Sequence, residues 1–363
     1  MNENKRVLLC GVGRMGIAIS WCMDQFGFHV IGVDKDIKSA ANLPKPVDFL
    51  LVENDEDIRK AIDLANPDIV ISSLPYHQTA DVAFLCIRKG IAYCDLGGRV
   101  DVSRSINDYA NGKATKPVFT DLGLAPGWVN IIAEHGCNQF EKGEVDEVKM
   151  MVGGLPINPT NPPFNYEITW SVDGLVNEYK DNCSVILGGR RDIAPGMDGL
   201  EDVYCKSINK ELEAFYTSGG ASHSLESMLD RGVENCSYKT LRFKGHNQLI
   251  KLLIKNSGLS DDCLKEVFEK VCLAKGVNDM VIIKCSVKTK SSELWEKELL
   301  IPHGAHFTAM QKATSFAISS VAKQMAEGVV TGKNLKYKDV DYENFQENIH
   351  ILRMKSIDNP YEI

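Results

Sequence analysis

The chain has 363 residues, 44% of them hydrophobic and 25% charged, and a net charge of −8; it has room for two domains, and its balance is that of an ordinary globular protein. No basic block stands out, so nucleic acid is not an expected partner, and no apolar run is long enough to span a bilayer, so no membrane association is expected. The eleven cysteines are scattered with no C-x-x-C pair, which argues against a zinc ribbon or a disulfide framework and for small buried thiols in a reducing cytoplasm.

The segment Met1–Arg6 runs directly into the apolar stretch Val7-Leu8-Leu9-Cys10, leaving no space for a signal peptide. That stretch reads as a buried strand. Gly11-Val12-Gly13-Arg14-Met15-Gly16 follows, then apolar residues at helical spacing to Phe26, then a second strand from His29 ending at Asp34. Strand, G-x-G-x-x-G loop, helix, strand and acid in this order form a dinucleotide fingerprint. Gly11 permits the tight turn, Gly13 lets a pyrophosphate approach the backbone, and Gly16 lets the helix pack on the strand. Arg14 and Met15 open the helix, whose N-terminus suits phosphate. Asp34 can accept two hydrogen bonds from a ribose and would repel a 2′-phosphate. NAD is therefore favoured over NADP.

Strand and helix then alternate. Strands are expected at 49–52, 68–74, 91–95 and 117–121, with helices at 55–65, 79–88 and 102–110. This is the pattern of a doubly wound parallel sheet. Ligands bind beyond the carboxyl ends of such strands, which selects His77, Asp95 and Asp121; Leu74 and Pro75 are candidates for contact with the cofactor. From Gly123-Leu-Ala125-Pro126-Gly127 a turn feeds a helix over 128–138. The text then becomes strand-rich: 145–152, 166–171, 184–187, 213–217, 238–243 and 280–287, with a helix over 262–274. A long helix, 307–327, is expected to return to the first domain. The expected division is 1–125 for the dinucleotide domain, 126–304 for an inserted mixed-sheet substrate and dimerisation domain, 305–345 for the returning helix, and 346–363 for a tail.

Val152-Gly-Gly-Leu-Pro156, Ile168-Thr-Trp-Ser171, Thr217-Ser-Gly-Gly220 and Thr240-Leu-Arg-Phe-Lys-Gly-His246 occur in that order. With the fingerprint and Gly123–Gly127 they resemble the saccharopine dehydrogenase-like family, which includes glutamate-forming saccharopine reductases, lysine 6-dehydrogenase and carboxynorspermidine dehydrogenase. The resemblance implies a Rossmann domain with an inserted α/β domain, NAD(P)-linked chemistry at a carbon–nitrogen bond, and a dimer or higher homo-oligomer. The reductases read G-L-D-P-G, carry Cys before G-G-L-P, and carry Arg after the W-S pair. Here Ala125, Val152 and Asp173 stand in those places. The resemblance therefore leans to the lysine 6-dehydrogenase branch, with saccharopine oxidation and imine reduction as alternatives. A non-catalytic dinucleotide-binding protein is the alternative of another class.

Oxidising an amine requires a base to take the proton that an ammonium carries. His77, Asp95 and Asp121 are the candidates; imidazole titrates nearest neutrality, while the acids have plain uses as a helix cap or an Asx turn. Gly123, Ala125, Pro126 and Gly127 offer backbone N–H groups to the cofactor. For a small amino-acid substrate the candidates are Tyr93, Asn130, the Thr217-Ser218-Gly219 turn and Arg242, whose guanidinium suits a carboxylate. Asp173 is a candidate for a distal ammonium. His303-Gly-Ala-His306 lacks the further ligands a metal site needs, and no metal is expected.

Overall fold

The computed structural model describes residues 5–44, 46–159, 161–272 and 278–358. The chain divides into two compact units. The first comprises Met1–Trp128, Gly304–Phe307 and Gln311–Ile363, the second Val129–His303 and Thr308–Met310.

The first unit contains β1 (Arg6–Cys10), α1 (Arg14–Gln25), β2 (His29–Asp34), β3 (Asp48–Leu51), α2 (Asp55–Ala65), β4 (Ile69–Ser72), α3 (Tyr76–Lys89), β5 (Ala92–Asp95), α4 (Val100–Ala110) and β6 (Val118–Phe119). The strands form a parallel sheet in the order β3-β2-β1-β4-β5-β6. The order reverses between β1 and β4, the crevice where doubly wound sheets take ligands. The strands are apolar runs because both faces are covered: Val7, Leu8, Leu9 and Cys10 have no exposed surface. The helices are bounded by local chemistry. Asn54 caps α2 through its side chain, and Gly90, at φ +66°, ends α3.

In chain order α5 (Trp128–Cys137) comes next, then β7 (Val145–Pro156), α6 (Val172–Lys180), β8 (Cys183–Leu187), β9 (Arg190–Ala194), β10 (Glu201–Cys205), β11 (Lys210–Tyr216), α7 (Ser224–Asp230), β12 (Asn235–Arg242), α8 (His246–Asn256), α9 (Asp261–Cys272), β13 (Asp279–Thr289) and β14 (Leu294–Pro302). Their sheet runs β10-β11-β12-β7-β13-β14, with β8 on β12 and β9 on β8. It is mixed: β12 pairs parallel with β7, and the other ladders are antiparallel. Successive side chains on β12 face opposite sides. Leu241 joins a core of Met151, Leu212 and Ile282. Thr240 and Arg242 face the side of Phe215, where Tyr166, Tyr179 and Phe268 gather.

The chain departs from several expectations. Residues 166–171 are not a strand. The Asn161 side chain takes both backbone groups of Tyr166, and Ile168 N–H donates to Cys272 O, so no ladder forms. β6 is two residues long, and α3 starts three residues early, placing His77 in a helix. The segment expected as a tail continues as α11 (Tyr342–Asp358), after α10 (Ala309–Glu327). Phe345, Asn348, Ile349 and Leu352 are its buried face, at helical spacing. Among the described residues no helix is long and apolar enough to cross a membrane.

Candidate active site

In the first unit the glycine loop is built as its spacing implies. Gly11 has φ +88°, and a Cβ there would lie 2.9 Å from Ser73 O and 3.2 Å from a Leu74 methyl. A Cβ on Gly16 would lie 2.0 Å from Gly11 O, so helix and loop touch through backbone alone. Gly13 caps α1 and is exposed, with open space where its Cβ would stand. An exposed helix N-terminus with an unobstructed glycine fits a pyrophosphate. Arg14 is exposed and Met15 half-buried beside it. Asp34 is held at the end of β2: its Oδ2 accepts Val12 N–H at 2.9 Å, and its Oδ1 accepts Asp36 N–H at 3.0 Å. Each oxygen retains a further lone pair for a ribose hydroxyl.

The carboxyl ends of β4, β5 and β6 lie side by side. Leu74 and Pro75 lead into α3, where His77 is exposed on the first turn. The Arg99 guanidinium lies 5.6 Å from the centre of the neighbouring Tyr76 ring. Asp95 and Asp121 are enclosed, at 1% and 3% exposure. Asp95 Oδ1 accepts the N–H groups of Gly97 at 2.8 Å and Asp121 at 3.0 Å. Asp121, at φ +67°, accepts the Ser103 hydroxyl at 2.6 Å on its carboxylate. Its carbonyl accepts the Tyr337 hydroxyl at 2.8 Å. Burial, then the Asp121 charge, pushes the Asp95 carboxyl up from 3.8 to about 7. These two acids therefore fasten the loops after β5 and β6, and His77 is the one of the three candidate bases that stands in solvent.

Tyr93 also leaves the substrate set. It has no exposed surface, sits in the core with Val70 and Ile106, and directs its hydroxyl to Thr79 O at 3.3 Å. The turn 123–127 is tight: Trp128 N–H bonds Gly123 O at 3.0 Å, and a Cβ on Gly127 would meet that oxygen at 2.0 Å. Only Ala125 and Pro126, at its tip, are half-exposed.

In the second unit Asn130 is fully buried. Its amide lies 3.1 Å from both Gly220 O and Ala221 O and 2.9 Å from Ser224 Oγ. It clamps the turn and presents no group to a ligand. Asp173 is mostly exposed and ion-paired with Lys265 at 2.6 Å, so it is no partner for a buried ammonium. His303 is held by Asp279 at 2.7 Å. Among the described residues no group of three or more His, Cys, Asp and Glu could hold a metal ion.

Arg242 is 3% exposed and fixed by a directed relay. His246 Nδ1 lies 2.8 Å from Phe164 O, and a carbonyl only accepts, so that nitrogen carries the hydrogen. Nε2 then accepts the Tyr179 hydroxyl at 3.0 Å, and the Tyr179 oxygen accepts Arg242 Nε–H at 3.0 Å. Burial and the Arg242 charge push the His246 pKa down to about 3, which keeps this tautomer neutral. One Nη1 hydrogen goes to Leu241 O at 3.0 Å, and the Tyr166 ring centre lies 4.3 Å from the guanidinium carbon. Three of the five donors have no protein partner among the described residues, and no carboxylate there forms an ion pair with this cation. The sequence reading missed the neighbouring Glu178. Its Oε1 lies 3.1 Å from Thr217 Oγ1 and 3.0 Å from Thr240 Oγ1, hydroxyls 2.7 Å from each other. Its carbonyl accepts Ser218 N–H at 2.8 Å. Its Oε2 is sealed and without a partner among the described residues. Ser218 and Gly219 are half-exposed above it.

A six-stranded parallel sheet with a glycine-loop cradle and an acid closing β2, in one chain with a mixed-sheet unit, is the architecture of a dinucleotide-binding protein, and the family matches that follow make it an NAD(P)-dependent oxidoreductase. The sequence carries the Saccharopine dehydrogenase NADP binding domain over residues 7–118 and the Saccharopine dehydrogenase C-terminal domain over residues 123–349. The chain belongs to the saccharopine dehydrogenase family. It is 23% identical over 317 residues to the saccharopine dehydrogenase [NADP(+), L-glutamate-forming] of Pyricularia oryzae, covering 83% of this chain and 70% of that one. Its fold matches the apo saccharopine dehydrogenase (L-Glu forming) of Saccharomyces cerevisiae with a TM-score of 0.74 at 15% identity over 97% of each chain.

Proposed function

We propose that this protein oxidises a carbon–nitrogen bond of an α-amino acid carrying a second nitrogen, lysine before saccharopine, with NAD as the acceptor. The observation that carries the reading is Arg242: a buried guanidinium, aimed by two tyrosines and a neutral histidine, with three donors unfilled among the described residues. Burying a cation without a counter-ion is costly, and a substrate carboxylate removes that cost with bidentate geometry. A nicotinamide dinucleotide, when bound, supplies the two-electron oxidation. The chain's own groups do the rest. Gly11, Gly13, Gly16 and the start of α1 receive the pyrophosphate, with Leu74, Pro75 and the 123–127 turn bordering it. Asp34 takes the adenosine ribose. His77 accepts the proton that frees the amine lone pair. Oxidation leaves a carbon–nitrogen double bond; water adds to its carbon, and the nitrogen leaves as ammonia or as an amine.

NAD is proposed although the matched domain and the Pyricularia relative are named for NADP, because a carboxylate at the end of β2, Asp34, would repel a 2′-phosphate. Lysine is placed first because Asp95-Leu-Gly-Gly and Gly123-Leu-Ala-Pro-Gly resemble the lysine 6-dehydrogenase branch. A spectrophotometric scan of L-lysine, saccharopine and other amines, each with NAD and with NADP, tests all three parts. Reduced cofactor should form with lysine and NAD. A kcat/KM for saccharopine far above that for lysine would overturn the substrate, and NADP used as well as NAD would overturn the cofactor.

A further inference from the structure

We propose that Glu178 is the specificity-determining acid of the substrate site, binding the α-ammonium of an amino acid whose carboxylate lies on Arg242. The inference rests on the amino-acid reading above and extends it to a residue with no role so far.

The argument starts from unfilled capacity. Glu178 Oε1 is held by two threonine hydroxyls, and its Oε2 is sealed without a partner among the described residues. Burial pushes this carboxyl up, while the Arg242 charge and the two hydroxyls pull it back. The two charges thus influence each other, yet no ion pair joins them. A carboxylate and a guanidinium held apart, each with free hydrogen-bonding positions, fit a ligand that carries both charges on adjacent atoms. An α-amino acid head is such a ligand. Aromatic rings complete the enclosure: Tyr166 and Tyr179 flank Arg242, and Tyr238 is buried on the same strand face. Ser218 and Gly219 are half-exposed, and a Cβ on Gly219 would meet nothing within 4 Å.

The other charged groove of this unit behaves differently. It is lined by Glu147, Lys149, Glu201 and Lys239. There Glu201 bridges Lys149 at 3.1 Å and Lys239 at 2.5 Å, so its charges are already neutralised. Lys239 and Thr240 are successive on β12 and face opposite sides of the sheet, so the groove and the Glu178 site are separate.

The test is calorimetric binding to the NAD-loaded protein of two α-amino acids, L-lysine and L-norleucine. Their counterparts without the α-amine, ε-aminocaproate and hexanoate, serve as controls. Wild type should prefer the amino acids by about tenfold or more, and Glu178→Gln should weaken them by about thirtyfold or more, as expected for losing one partner of a desolvated charge pair. The controls should change by less than about threefold, since they never used the carboxylate. Glu178→Gln should melt no lower than wild type, because it removes a buried charge. Thr240→Val, which leaves the carboxylate in place, should retain most of the preference. Equal weakening of both ligand classes, or a wild type that does not prefer the amino acids, overturns the proposal. Selective binding without oxidation would sink the catalytic reading and leave Glu178 standing; oxidation with an unaltered preference in Glu178→Gln would do the reverse.

Discussion

Asp95 in the first unit and Glu178 in the second are both acids with one sealed oxygen that has no hydrogen-bond partner among the described residues. Asp95 faces another carboxylate, Asp121, and its other oxygen gathers the backbone of two loops. A like charge in a closed space favours the protonated form, so one proton settles the site from within. Glu178 instead answers to a guanidinium that it does not touch. Opposite charges held apart are settled by a ligand that brings both complements. The same chemical group is a fastener where its neighbour repels it and a receptor where its neighbour attracts but does not reach it.

The largest expected effect lies on the receptor side. Arg242→Ala should cost about 2–5 kcal/mol in kcat/KM for any α-carboxylate substrate, the worth of a desolvated charge contact. A diamine without the carboxylate, such as cadaverine, should lose far less. Equal losses on lysine and cadaverine would remove the distinction drawn for this unit.

Next come two glycines of one loop. Gly16→Ala places a Cβ 2.0 Å from Gly11 O and should destabilise the fold by roughly 1–3 kcal/mol or more. Gly13→Val points into open space and should keep the melting temperature while abolishing cofactor binding. Thermal melts with and without NAD separate the two; a Gly13→Val protein that binds NAD normally would contradict the cradle.

A smaller effect tests the fastener. Folding raises the Asp95 pKa from 3.8 to about 7, so between those values the folded state holds more protons than the unfolded one. Stability should then fall as pH rises from about 4 to about 7 and flatten above, by on the order of 1–3 kcal/mol. Asp95→Asn, which mimics the protonated acid, should lose that slope. Chemical denaturation across pH reads it, and an unchanged slope would show that the charge is carried elsewhere.

The smallest effect concerns thiols. All eleven cysteines are free, and all but Cys263 are buried; burial pushes Cys10 and Cys22, for example, up to about 12. Alkylation of the folded protein should label Cys263 alone, as read by intact mass, and the rest should react on unfolding.

What could be read from the sequence was local. The glycine loop, Asp34 and the parallel strands follow from spacing within some thirty residues, and each is where that spacing puts it, except that the strand expected over 117–121 shrinks to β6, Val118–Phe119. Arg242 was legible as a candidate for a carboxylate, but not the relay through Tyr179 and His246, whose members lie far apart in sequence. Glu178 was invisible because a lone acid in a short helix looks like a solvated face. Asp173, nearer the W-S pair, drew attention instead and proves to be the solvated one. Asp95 and Asp121 stand out by position at strand ends, which does not distinguish a side chain facing a ligand from one folded back onto loops.

The central claim is tested most directly by ligand-induced thermal shift with NAD present and L-lysine added to wild type, Asp95→Asn and Glu178→Gln in parallel. The account predicts that lysine raises the melting temperature of wild type and Asp95→Asn alike and leaves Glu178→Gln unmoved. A shift retained in Glu178→Gln and lost in Asp95→Asn would contradict it.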